Sequence, residues 1–287
     1  MSASLDLPPS APERARDGNR IRTLVLSVVA ALALLVVLLS PHLYGRYGID
    51  ADFATRLLGP SWSHLAGTDQ LGRDMAARTL HGLALSFWVG LIAASLSVVI
   101  AIALALVATT GGRLADEAVS FLIDAAMGLP HFVLLILISF SLGGGTTAVI
   151  IAVAVTHWPR LTRILRAELL QLRHAEFVRT SRHLGKSWFY IGRHHFMPHL
   201  VPQLLVGLIL LFPHAILHEA GLTFIGFGLE PSKPAIGVLL SDSMRYLTAG
   251  KWWLGLFPGL ALLLVVLCFD AIGNGLRLLS DPRQEQT

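Results

Sequence analysis

Cysteine is nearly absent: Cys268 is the one such residue in 287, and it lies within an apolar run. No intrachain disulfide and no thiolate metal site can be built from it. Charge is scarce as well. Asp, Glu, Lys and Arg make up 14% of the chain, against roughly 25% in soluble globular domains, so there is too little polar side chain to cover a water-facing surface. The patterns of common catalysts are missing too, with neither HExxH nor GxSxG present. Gly185-Lys186-Ser187 ends like a phosphate-binding loop, but that loop needs a glycine five residues earlier, where Thr180 stands. The chain therefore binds no ATP by that route. A net charge of +4 does not point to nucleic acid, because the arginines are not gathered into a patch interleaved with aromatics.

What the chain does have is apolar sequence, 54% of it, arranged in runs. A membrane-spanning helix takes about 20 mostly apolar residues. Six runs qualify: 23–40, 83–110, 118–142, 146–158, 200–222 and 252–272. The third is interrupted by Asp124, Pro130 and His131, and the fourth is short and follows Gly143, Gly144 and Gly145. The expected class is all-α and polytopic, with six transmembrane helices. Four arginines precede the first run (Arg14, Arg16, Arg20, Arg22), as in a signal peptide, but no small-residue cleavage site follows it directly. We read it as an uncleaved span.

Lysine and arginine orient the spans. Placing the N-terminus in the cytoplasm puts fifteen basic residues inside, eight of them between spans four and five (Arg160, Arg163, Arg166, Arg173, Arg179, Arg182, Lys186, Arg193). Seven fall outside: Arg46, Arg56, Arg73, Arg78, Lys233, Arg245 and Lys251. Both termini are thus expected in the cytoplasm. The expected organisation is a disordered N-terminus over 1–20, a first span over 21–40 and a periplasmic loop over 41–82. A five-helix core over 83–276 follows, and residues 277–287 form a cytoplasmic tail. The inner loop over 159–199 reads as helical and amphipathic, with a basic face suited to lipid headgroups or a partner protein.

Within that loop, Glu176-Phe-Val-Arg-Thr-Ser-Arg-His-Leu-Gly185 is followed thirteen residues after its glycine by Pro198, preceded by Met197. This spacing resembles the coupling loop of binding-protein-dependent ABC importers. The family's Glu-Ala-Ala triplet falls on Arg179, Thr180 and Ser181, so the acid and alanines are replaced while small residues remain at the second and third places. Three further stretches are similar to the dipeptide, oligopeptide and nickel branch: Gly67-Thr-Asp-Gln-Leu-Gly-Arg-Asp74, Glu219-Ala-Gly-Leu-Thr-Phe-Ile-Gly-Phe-Gly228, and Asp270-Ala-Ile-Gly-Asn-Gly-Leu-Arg277 with Asp281-Pro282-Arg283. Read from the residues alone, Gly67–Asp74 is a turn in which Thr68 and Asp69 cap a helix starting near Leu71.

The resemblance implies a type I importer permease with a second homologous permease chain, two ATPase subunits and an extracytoplasmic solute-binding protein. It implies that ATP and magnesium are used by the ATPases and that this chain binds no cofactor. The residues expected to engage an ATPase are Glu176, Phe177, Arg179, Thr180, Ser181, Gly185, Met197 and Pro198. His214-Ala-Ile-Leu-His218 with Ala220-Gly221 looks most like the nickel-transporting members. That makes nickel or a metal chelate the first expected solute, with dipeptides or oligopeptides as the alternative and a proton-coupled carrier as a third reading.

Ionisable residues inside spans are costly, about 2.5–3.5 kcal/mol or more each at the bilayer centre unless paired or wet. His131, His214, His218 and Glu219 are accordingly the candidate solute path. His214 and His218 share one helix face and are candidates for transient metal contact. The competing reading is interhelical hydrogen bonding and packing. Asp124 is expected at the interface and His157 at the end of span four.

The orientation is directly testable. Cysteines placed at Ser10, Lys186 and Gln286 are expected to resist external thiol reagents in intact cells, and those at Ser63 and Lys233 to react. External labelling at position 186 would invert the topology.

Overall fold

The computed structural model describes residues 11–45 and 48–280. Among the described residues every regular element is a helix, and the only β pairing is an isolated bridge between Thr68 and Asp74. Ten α-helices follow in order: α1 Ala11–Tyr44, α2 Met75–Thr110, α3 Arg113–Gly128, α4 His131–Ser141, α5 Gly145–Arg173, α6 Glu176–His183, α7 Trp188–Ile191, α8 Met197–Phe224, α9 Ile236–Leu247 and α10 Trp253–Ser280. Among the described residues five stretches are long and apolar enough to cross a membrane: Arg20–His42, Met75–Thr110, Gly145–Arg173, Trp188–Phe224 and Trp253–Leu278. A sixth arises if the bent pair α3–α4 counts as one span.

The helices start and stop for local reasons. α1 begins at Ala11, inside the segment expected to be disordered, where Ala, Glu and Arg are strong helix formers. Residues 1–10, Arg46 and the end of the tail from 281 lie outside the described residues. The third run breaks into α3 and α4, which meet at 96°. Pro130 has no N–H to give and pushes the residue before it out of the helical region, and Leu129 accordingly sits at φ −90°, ψ 145°. The fourth run, short by composition, is instead the apolar half of a 29-residue helix, because α5 continues through Pro159 to Arg173. The long loop after span five also holds α9, an amphipathic helix that buries Ile236, Val238 and Leu239.

Two ion pairs fasten α3 to α5. Arg166 reaches Asp116 with Nε and Nη2 at 2.5 and 2.6 Å, and Arg163 reaches Asp124 at 2.8 Å. The Asp124 side chain is 70% exposed. The interior is apolar and aromatic. Phe212 stacks on Phe269 with centroids 3.8 Å apart, and Phe87 leans on both. This knot joins α2, α8 and α10, with α1 and α9 packed against it.

The 48–74 segment is held by one buried carboxylate. Asp69 accepts from the backbone N–H of Leu71 and Arg73, from Arg73 Nε at 2.6 Å and from Arg78 Nη1 at 2.5 Å. The expected cap at Thr68 and Asp69 is therefore corrected. The helix starts four residues later, at Met75, and its cap is Asp74, which accepts from Ala76 N and Ala77 N. Gly72 is the reason. Its φ of 77° halts any helix from Leu71, and a Cβ there would collide with the Asp52 carbonyl. Thr68 turns inward instead, bonding the Thr55 carbonyl and the Leu58 N–H, while its own carbonyl accepts from Trp253 at the head of α10.

Asp69 and Arg78 have side chains only 1% and 5% exposed, and removing one partner of a buried pair strands the other. Asp69→Ala is expected to destabilise the protein by about 3–5 kcal/mol. Arg113→Ala, which breaks a pair between side chains 91% and 58% exposed, should cost under about 1 kcal/mol. Thermal melts of the two purified variants check the contrast.

Candidate functional site

Two places on this scaffold gather the candidate residues. The first is α6. Eight residues long, it buries only Val178, while Glu176, Phe177, Arg179 and Thr180 lie exposed. Ser181 turns back to His195, Oγ to Nε2 at 2.8 Å. The helix ends in Gly185, whose φ of 76° suits glycine and around which a Cβ would meet nothing within 4 Å. Arg173 and Arg182 both lie over the Trp188 ring, 5.0 and 4.8 Å from its centroid, which fixes the turn that carries α6. A π turn over Gly192–Phe196 then feeds α8, with Met197 its first residue and Pro198 in its first turn, where a missing N–H costs nothing. The expected loop residues thus form one exposed knob seated on the ends of α5 and α8.

The second place is a cluster of histidines. The structure gathers His218 with His131 and His157, and His214 lies outside the group. His131 opens α4 at the elbow after Pro130, His157 sits within α5, and His218 within α8. Ring centroids are 4.6 Å apart for His131–His157 and 4.9 Å for each of the other two pairs, with planes nearly perpendicular. One nitrogen from each ring lies within 4.8 Å of the others. His214 is one turn back on α8, exposed, with Nδ1 3.2 Å from the Leu210 carbonyl. His157 was read from sequence only as the end of a span. Linear spacing carries no sign that three residues on three helices meet.

Glu219 also departs from the cluster. One residue on from His218, it points about 100° away around the helix and is fully buried against α2. There it accepts from Thr223 Oγ1 at 3.0 Å and neighbours Ser86, while its Oε2 makes no hydrogen bond. Ser86 in turn receives the N–H of Ile236 at 3.3 Å. The carboxyl is therefore a junction of α2, α8 and α9.

With this geometry in place, likeness to known proteins becomes informative. The family described as the binding-protein-dependent transport system inner membrane component matches residues 97–286. Over 284 residues, covering 97% of this chain and 94% of the relative, it is 36% identical to a peptide permease protein of Brucella suis biovar 1 (strain 1330). It is 32% identical over 259 residues, 90% of this chain and 80% of the relative, to the dipeptide transport system permease protein DppC of Bacillus subtilis (strain 168). The chain belongs to this family of inner-membrane permeases of ABC importers. It is a multi-pass transport subunit and not an enzyme.

The buried glutamate yields a test. Glu219→Gln keeps the acceptor for Thr223 and supplies donors for the unpaired side, so its melting should stay within about 1 kcal/mol of the parent. Glu219→Lys, which buries an unpaired cation in an apolar interior, is expected to abolish a folded product in membranes. Size-exclusion profiles of the two variants distinguish them.

Proposed function

We propose that the chain is one permease half of an ATP-driven importer carrying short peptides into the cytoplasm. Separate ATPase subunits using ATP and magnesium dock on the α6 knob, a second permease chain completes the passage, and an extracytoplasmic binding protein delivers the solute to the outer loops. The observation that carries the solute class is the full-length likeness to relatives named as peptide and dipeptide permeases. It favours the peptide alternative over the nickel expected first from the stretch around His214 and His218.

Coupling follows from the way α6 is mounted. α5 has 29 residues, about 43 Å at 1.5 Å per residue, and leads straight from the knob past His157. The stretch Trp188–Phe224, likewise apolar and helical, leads from the same knob past His218. Closure of the ATPases on α6 moves two levers whose far parts line the candidate path. The driving energy is the difference in ATP affinity between inward-facing and outward-facing states.

Gly185→Glu tests this reading. The left-handed backbone costs a non-glycine residue about 1–2 kcal/mol, and the surrounding space is open, so the chain is expected to reach the membrane in normal amount. The new charge faces the docking surface. In cells whose only dipeptide importer contains this chain, uptake of a labelled dipeptide should fall to background. Unchanged uptake would remove α6 from coupling, and nickel uptake without dipeptide uptake in the parent would overturn the solute class.

A further inference from the structure

The histidine cluster makes a second kind of chemistry available. We propose that His131, His157 and His218 form an exchangeable site for a divalent transition metal, zinc, nickel or copper, where α4, α5 and α8 meet. The inference goes beyond the transport reading and does not depend on it.

Three features of the geometry support the site. First, the rings converge from three separate helices, with one nitrogen each inside a 4.8 Å group. Tetrahedral binding at about 2.0–2.1 Å asks for nitrogens about 3.3 Å apart. His157 Nε2 and His218 Nδ1 stand at 3.3 Å, a contact in which the His218 Nδ1–H donates, so the rings must turn to aim three lone pairs at one ion. Second, two of the rings are oriented by backbone carbonyls, as metal-binding imidazoles usually are. His157 Nδ1 is 2.9 Å from the Val153 carbonyl, which leaves Nε2 as the lone-pair nitrogen. His218 Nδ1 is 2.7 Å from the His214 carbonyl, which leaves its own Nε2 to bind. The His131 nitrogens make no hydrogen bond among the described residues, and this ring touches the site only through its two neighbours.

Third, all three rings stand inside helices that are candidate spans or parts of one. His131 lies ten residues from the Ser141 end of α4, and His157 twelve residues from the Gly145 start of α5. His218 lies six residues from the Phe224 end of α8, so the three stand about 15, 18 and 9 Å of helix from those ends, within the spanning helices. The ring-to-ring hydrogen bond from His218 Nδ1 to His157 Nε2 leaves His218 Nε2 and the His131 nitrogens without a hydrogen-bond partner among the described residues. A cation with a preference for nitrogen takes up such lone pairs, and neutral imidazole suits zinc, nickel and copper. All three rings are half-buried. Three protein ligands leave a fourth position open, as in exchangeable rather than closed structural sites. That position is available to water or to an amine or carboxylate of a passing solute.

The test uses the purified full-length chain, carrying no histidine tag, titrated with Zn2+ against a chromophoric chelator. The expected result is one ion per chain at micromolar affinity or tighter, with a rise in melting temperature when zinc is added. Replacing all three histidines by alanine should weaken binding at least about tenfold, the scale on which losing even an outer partner acts. His157→Gln keeps the ring's approximate volume and guards against a variant that fails only by misfolding, since it should lower zinc affinity while leaving the metal-free melt unchanged. His214→Ala, and alanine at the exposed loop histidines His183 and His194, should leave affinity within about twofold. Zinc binding retained by the triple variant, or lost only with the loop histidines, would overturn the site. So would a parent chain that binds zinc no tighter than about 100 µM. No solute or ATPase is present, so a negative result here leaves the peptide reading standing, and loss of peptide uptake leaves the metal site standing.

Discussion

Hydrocarbon offers no partner to a backbone amide, so each peptide group within the bilayer must be satisfied by its own helix or by protein packed against it. That constraint shapes this chain more than any side-chain contact. Where the apolar sequence is continuous, α2, α5, α8 and α10 run as unbroken rods of 28 to 36 residues. Where Pro130 removes a donor, the rod breaks; residues 127–130 at the break lie exposed on this chain, while α4 beyond it packs on α5 and α8. Half-helix ends at membrane depth occur where they line a cavity or a solute path. His131 stands at such an end, and the histidine cluster follows from the position of the proline.

A second constraint is the desolvation of charge. Asp69 is almost fully withdrawn from solvent, and a buried ion is tolerated only when its remaining lone pairs are filled. Two backbone N–H groups and two guanidinium groups fill them here. The same turn presents the Thr68 carbonyl to Trp253, so a loop of some thirty residues is welded to the start of α10. The Gly67–Asp74 stretch is therefore architectural. It fixes the mouth of the bundle by ordering backbone, with its charges spent on neighbours within the loop and the first turn of α2.

Sequence made the class and most of the spans legible, because a run of about twenty apolar residues has few other fates. It was less informative wherever the outcome depended on what lies across space. The fourth span looked short because its inner half carries Arg160, Arg163 and Arg166, and two of these are paired with aspartates on α3 that no linear pattern joins to them. α9 was passed over as loop, since its apolar face is only a few residues wide and is completed by α8 and α10. The helix start at Met75 was misplaced because Asp69 and Asp74 are both good caps, and only the backbone reversal at Gly72 decides between them. His214 and His218 looked like a pair by the i,i+4 rule. That rule describes one helix, whereas the partners of His218 come from two others.

The two candidate sites share their supports, and this relates chemistry to motion. α6 sits on the inner end of α5 and is joined through α7 and the π turn to α8, and the same two helices carry His157 and His218. α4, with His131, is the short arm beyond the elbow. Under the docking proposed above, a rotation of α5 against α8 changes the spacing of the three imidazoles, because the rings stand on three different helices. Three ligands held near 3.3 Å bind a metal, and the same ligands pulled apart by one or two ångströms release it, since metal–nitrogen bonds tolerate only a few tenths of an ångström. By the reciprocity of linked equilibria, an ion bound there favours whichever arrangement of α4, α5 and α8 brings the rings together, and it opposes the other by the same free energy. On the two proposals together, a metal site built across α4, α5 and α8 is a conformational sensor as well as a ligand site, its affinity following the arrangement of the helices that carry α6.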